Sequence, residues 1–375
     1  MLIFRFPGII VDENIRLEAT SMEKQHYLKL IDEELAIAPW YVQEYYQAKA
    51  TIPLSPATLY QYLTEFRRFF NWLISEGLTP ATRPADIDIQ VLATLKKETV
   101  ELYKSALLNQ TKLTGAPGSR THPTINRSLN ALSSLFKYLT EDTEDDNGEA
   151  YFDRNVMHKI ALVRTSETYA TRAANLKTKL MLGNTDHEYL DFIDQKYEAL
   201  LSPAKKRYFH RDKRRDLAIN ALLLGSGLRV SEAANADLRH LNLKTGTIGV
   251  IRKGGQRDTV PIAPWTLPYI QDYVDHREAT YHALSNDRAL FLSSYRGQAS
   301  RLQANSMEKM VAKYSAAFKV RITPHKLRHT LASKLYLATK NEQLVATQLG
   351  QNSTSATGLY THIIDEEQRQ GLEKM

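Results

Sequence analysis

Near the end of the chain stand a histidine, an arginine and a tyrosine, residue types that suit phosphoryl transfer. In Thr323-Pro324-His325-Lys326-Leu327-Arg328-His329-Thr330 the histidine and the arginine are three positions apart, so one face of a helix would carry both. Tyr360 follows in Leu359-Tyr360-Thr361-His362, on a segment broken by Gly350 and Gly358. A phenol attacks a phosphodiester only if one group takes its proton and another holds the charge on the phosphate oxygens. The remaining parts have to come from elsewhere in the chain.

Two stretches offer them. Gly227-Leu228-Arg229-Val230-Ser231-Glu232 puts an arginine between a helix stop and a helix start, from where it can point into a cleft. Glu232, three residues on, can hold a neighbour by hydrogen bonding. Thr247–Ile251 and Asp258–Ile262 read as strands on either side of the glycine-containing turn Arg252-Lys253-Gly254-Gly255-Gln256-Arg257, which predicts a β-hairpin. Lys253 near its tip can reach a groove, although an exposed hairpin lysine is usually only solvated.

The elements around these residues are mostly helical. Residues 187–201 read as a helix. A basic stretch follows, Lys205-Lys206-Arg207 and Arg211-Asp212-Lys213-Arg214-Arg215, with Tyr208, Phe209 and His210 between. An apolar helix, Asp216–Leu224, then stops at Gly225-Ser226-Gly227. The first half predicts helices over Met22 to about Ala50, from the Ser55-Pro56 cap to Gly77, over about Asp88–Leu108, over Thr121–Leu139 and, briefly, over Asn155–Val163. The expected organisation is a flexible N-terminal extension at 1–21, a helical domain at 22–163, a polar linker at 164–182 and a second domain with a C-terminal tail at 183–375. The fold class is mainly α with a small β-hairpin or sheet.

Composition narrows the function. A chain of 375 residues suits two domains. With no cysteine, disulfides, thiolate metal sites and cysteine nucleophiles are excluded. No apolar run reaches the length of a membrane span, and the apolar start lacks a basic lead and meets Asp12 and Glu13 at once, so a cytoplasmic protein is expected. The net charge of +7 is a modest pointer to a polyanion such as DNA. Arg67, Arg127, Lys205, Lys206, Arg207 and Arg257 are the candidate phosphate contacts. With no His-Glu-x-x-His and no carboxylate cluster, a metal site is not expected.

Arg229 in Gly-Leu-Arg-x-Ser-Glu, Lys253 before glycine in a hairpin, His325-x-Leu-Arg328-His329-Thr and Tyr360 in Leu-Tyr-Thr-His occur in this order. Together they resemble the tyrosine recombinase (phage integrase) family over about 183–365, and the helical first half is similar in kind to that family's core-binding domain. Within it the chain looks like the Xer recombinases. Pro39-Trp40-Tyr41-Val42-Gln43-Glu44-Tyr45-Tyr46 and Thr58-Leu59-Tyr60-Gln61-Tyr62-Leu63 resemble the XerS-like branch, in which a single recombinase resolves chromosome dimers. The resemblance implies an α+β catalytic domain and a site-specific recombinase working through a 3′-phosphotyrosine. Tyr360 would be the nucleophile, Arg229 and Arg328 the clamp on the non-bridging oxygens, His325 the proton acceptor and Lys253 the donor to the leaving oxygen. Glu232 and His329 would support them. It implies no cofactor, double-stranded DNA as partner, a homotetramer on two paired sites and an activating DNA translocase of the FtsK type.

One position departs from the pattern. After Leu349-Gly350 the family usually has histidine, sometimes tryptophan, and this chain has Gln351. Glutamine can donate a hydrogen bond to phosphate but carries neither charge nor proton. Three rivals follow: the integrase of a mobile element, a type IB topoisomerase of similar chemistry, and a non-catalytic DNA-binding regulator with the recombinase fold, for which Gln351 is the support.

Overall fold

The computed structural model describes residues 25–51, 54–109, 121–164, 171, 175–252 and 255–351. The chain divides into two units, Met1–Ser166 and Glu167–Met375. It is mostly helical, with two small antiparallel sheets, in agreement with the expected class. Among the described residues no helix is long and apolar enough to cross a membrane. The expected extension at 1–21, part of the connecting segment and the C-terminal tail lie outside the described residues.

The first unit contains α1 (25–35), α2 (Trp40–Ala50), α3 (Pro56–Ser75), α4 (Ile89–Ala93), α5 (Lys97–Asn109) and α6 (His122–Lys137). Ser55 caps α3 by accepting the Thr58 N–H at 3.2 Å, with Pro56 in the first turn, where its missing N–H costs nothing. Leu59, Leu63, Phe66, Phe69, Phe70 and Leu73 then fall on the buried face. They meet Tyr41 and Tyr45 of α2 and Leu129, Leu132 and Phe136 of α6. Edge-to-face rings such as Tyr45–Phe66, with centroids 5.3 Å apart, fill this core.

Two expected helices are each broken in two. The stretch 22–50 is interrupted because Pro39 adopts an extended backbone and cannot supply the N–H a continuous helix needs. The stretch 88–108 breaks at Thr94, where α4 ends, and Leu95 turns into the core.

The second unit has α7 (Thr185–Asp191), α8 (Pro203–Ser226), α9 (Val230–Ala234), β1 (Leu241–Asn242), β2 (Thr247–Ile251), β3 (Arg257–Pro261), α10 (Leu267–Tyr281), β4 (Leu292–Tyr295), β5 (Gln298–Arg301), α11 (Ala304–Phe318), α12 (Pro324–Thr339) and α13 (Glu342–Leu349). The basic stretch and the apolar helix read separately from the sequence are one 24-residue helix, α8. Its basic first half tolerates the helix because acids neutralise it. Arg211 is bonded to Asp212 at 2.8 Å, Lys213 to Asp194 at 2.6 Å and Arg214 to Asp272 at 3.1 Å. From Arg215 onward the helix is buried, and α10 and α12 pack along it. The β2–β3 hairpin is antiparallel as expected, with Ile251 opposite Arg257. The β4–β5 hairpin, absent from the sequence reading, turns through Arg296 and Gly297, both at positive φ, as a two-residue hairpin requires. Leu176 and Leu180, assigned from the sequence to the connecting segment, are buried with Ala332, Val345 and Leu349.

Candidate active site

The end of α8 starts the site. Gly227 sits at φ 68°, where a side chain would be strained, and a Cβ there would lie 2.8 Å from Leu331 Cδ2. The tight stop lets Arg229 stand directly before α9. Its backbone N–H donates to Glu232 Oε2 at 2.8 Å and its Nη1 to Glu232 Oε1 at 2.7 Å. Glu232 is buried, whereas the Arg229 side chain keeps 37% of its surface exposed. Glu232 therefore aims Arg229 while leaving donors open to an incoming group.

Arg328 enters from α12 and is almost wholly buried. Its Nη1 donates to the Gly227 carbonyl at 2.6 Å and its Nη2 to the Leu349 carbonyl at 2.5 Å. One guanidinium thus ties the stop after α8 to the end of α13. Gln348 makes a parallel tie, donating to Ser226 O at 2.9 Å and Pro261 O at 3.0 Å.

His325 lies one turn before Arg328 on α12, as the spacing predicts. Its ring meets His329 nearly edge-on, with centroids 4.3 Å apart. The protein packed around His325 desolvates its ring, and the charges of Arg328, Lys326 and Arg229 add to this, holding it below the ordinary imidazole value. Burial acts more strongly on His329 and, with His325, Lys326 and Arg328, pushes it down to about 3. Both rings are therefore neutral at pH 7. Gln351 follows Gly350 at the end of α13, and its Oε1 is buried without a hydrogen-bond partner among the described residues.

The fold brings Arg229, Glu232, His325, Arg328, His329 and Gln351 onto the meeting ends of α8, α9, α12 and α13. Lys253 and Tyr360 lie outside the described residues. Of the candidate phosphate contacts, Arg67 on α3 pairs with Glu34 at 3.1 Å and Lys206 on α8 with Glu198 at 3.4 Å. Arg127, Lys205, Arg207 and Arg257 are exposed on α6, α8 and β3. Among the described residues no group of histidines and carboxylates could hold a metal ion.

Sequence reasoning misses Arg252. It follows β2 and would pass for a solvated hairpin residue, yet its side chain is 6% exposed and donates to Glu232 Oε2 at 3.0 Å. The available signal is its place directly before Lys253-Gly254.

The phage integrase family model matches residues 192–367. The tyrosine recombinase XerS of Streptococcus uberis is 50% identical over 356 residues, spanning 94% of this chain and all of that protein. The chain belongs to the tyrosine recombinases. It is accordingly a site-specific recombinase. XerS of Streptococcus mutans is equally 50% identical over 356 residues. Solved recombinases share the fold at lower identity. XerH bound to palindromic difH substrate after cleavage is 22% identical, with a TM-score of 0.57 over 85% of this chain and 79% of that one. A lambda integrase dimer bound to a core site is 14% identical, with a TM-score of 0.54 over 87% and 95%.

Proposed function

We propose that this recombinase cuts and rejoins duplex DNA through a 3′-phosphotyrosine at Tyr360, and that it resolves chromosome dimers. The observation that carries the reading is the convergence of Arg229, Arg328 and His325 at one place. In the step, the Tyr360 oxygen forms a bond to phosphorus while the bond to the 5′-oxygen breaks. The tyrosine proton passes to His325, and Lys253 gives a proton to the departing oxygen. Arg229 and Arg328 donate to the non-bridging oxygens, where charge accumulates; a planar guanidinium suits this because it never titrates. Gln351 donates one further hydrogen bond. The phosphotyrosine keeps the energy of the broken bond, so the 5′-hydroxyl of a partner strand reverses the step.

Lys253 and Tyr360 take these roles from their motif positions. Glu232 and His329 support the set. The helical domain at 22–163 and the catalytic domain at 183–375 both grip the duplex, with Arg67, Arg127, Lys205, Lys206, Arg207 and Arg257 on phosphates. Four copies pair two sites in the cytoplasm and exchange strands through a Holliday junction, under a DNA translocase of the FtsK type. Streptococcal relatives named XerS favour this reading over a mobile-element integrase.

The test is a supercoiled plasmid carrying two directly repeated copies of the DNA selected by the protein. The expected product is two circles, each with one site. Relaxed plasmid without exchange would point to a topoisomerase instead.

A further inference from the structure

Arg252 is built into the fold in a way a solvated hairpin residue is not. Its backbone N–H donates to Gln256 O at 2.8 Å and its carbonyl accepts from Gly255 N–H at 3.1 Å, tying the two sides of the hairpin together just beyond β2. Its buried guanidinium reaches three elements. Nε donates to Asp258 Oδ2 at 2.9 Å across the hairpin, Nη1 to Glu232 Oε2 on α9 at 3.0 Å, and Nη2 to Gln348 O on α13 at 3.2 Å. The chain closes over the guanidinium at Gly350, where a Cβ would lie 2.5 Å from Arg252 Nε. A planar fork with fixed donor directions makes a stiff brace between those elements.

We propose that Arg252 is a positioning residue that fixes the base of the β2–β3 hairpin, directly before Lys253 in sequence, against α9 and the end of α13, so that the leaving 5′-oxygen is protonated. This rests on the reading of Lys253 as proton donor. Glu232 has two bonds from Arg229 besides the one from Arg252, whereas the Arg252 side chain makes one bond each to α9 and α13, so the effect is expected to fall on the hairpin more than on Arg229. The hairpin loses its buried ties to α9 and α13 together.

The experiment uses the full chain in single-turnover cleavage of two nicked substrates. One has the ordinary 5′-oxygen at the scissile phosphate, and the other has sulfur there, which leaves as a thiolate and needs no proton. Arg252→Lys, Arg252→Met and Lys253→Ala are compared with the parent. Melting curves and DNA binding are followed for each. A displacement of about 1 Å costs on the order of 100-fold, so Arg252→Lys is expected to lose that much on oxygen. It should regain most of the loss on sulfur, as Lys253→Ala does. Arg252→Lys retains a charge beside Glu232 and carries the test if Arg252→Met does not fold. Equal loss on both substrates while Lys253→Ala is rescued would make Arg252 merely structural and overturn the proposal. So would full activity of Arg252→Lys on oxygen. Failure of sulfur to rescue Lys253→Ala strikes instead at the proton-donor reading, and the proposal falls with it.

Discussion

Among the described residues of the second unit, two clusters of charge are built for opposite ends. In the first, on α8, Arg215 donates to Asp216 at 2.7 Å, Arg211 to Asp212 at 2.8 Å, and the hydroxyls of Tyr314 and Tyr281 complete Asp216 and Asp212 at 2.7 and 2.9 Å. Burial works against the Arg215 charge, yet Asp216, Tyr281 and Asp212 outweigh it and hold the guanidinium above its ordinary value. Both guanidiniums here are held by carboxylates, so this cluster asks for no ligand. In the second, Arg229 and Arg252 share Glu232, Arg252 also reaches Asp258, and Arg328 donates to two backbone carbonyls. Burial first, and then Arg328 among the neighbouring cations, lowers both histidine rings beside it. Buried arginine alone does not mark a site. Arginine held by carbonyls and a shared carboxylate, with exposed donors to spare, marks one that expects an anion.

The largest expected effect separates the two by stability. Arg215→Ala leaves Asp216 without its cation in the interior and should cost about 3–5 kcal/mol in denaturant unfolding. Cleavage per folded molecule should be unchanged. Arg229→Ala should reverse the pattern. Loss of a donor to the charged oxygens lowers the single-turnover rate by about 100- to 1,000-fold. The melting temperature should move little, since the side chain is part-exposed. Comparable unfolding by both variants would erase the distinction.

The pH profile sharpens it further. His325 must be neutral to accept a proton, and its pKa is lowered, so the acid limb of cleavage should fall below the ordinary 6.5. His329 acts on stability. With its pKa at about 3 in the fold against an ordinary 6.5, the unfolded chain binds more protons between those values. Its contribution makes stability rise with pH across that window and stay flat above it. His329→Asn should flatten the slope in melting curves taken from pH 4 to 7. The smallest effect concerns Gln351→His. A charge-assisted hydrogen bond to phosphate is roughly twice as strong as a neutral one, so cleavage should rise by up to about fivefold. An unchanged or lower rate would show that glutamine is no deficit there.

Much of the site is legible in sequence because its geometry is local. The His325–Arg328 spacing, the Gly227 stop before Arg229 and the Thr247–Pro261 hairpin each follow from neighbours in the chain. What stays hidden depends on distant partners. Arg252 becomes a brace only because Glu232 and Gln348 come to meet it. The basic run on α8 does not show its acidic partners in sequence, since Lys213 and Arg214 pair with Asp194 and Asp272 from other elements. The breaks at Pro39 and Thr94 divide apolar patterns that periodicity alone joins.

The most direct test of the anion-seeking cluster is a nicked duplex that loses its 5′-hydroxyl end after cleavage and so traps any covalent product. The parent protein should accumulate a 3′-linked protein–DNA adduct mapping to Tyr360, and Tyr360→Phe should form none. An adduct that persists in Tyr360→Phe, or no adduct from a parent that binds the same DNA, would contradict the account.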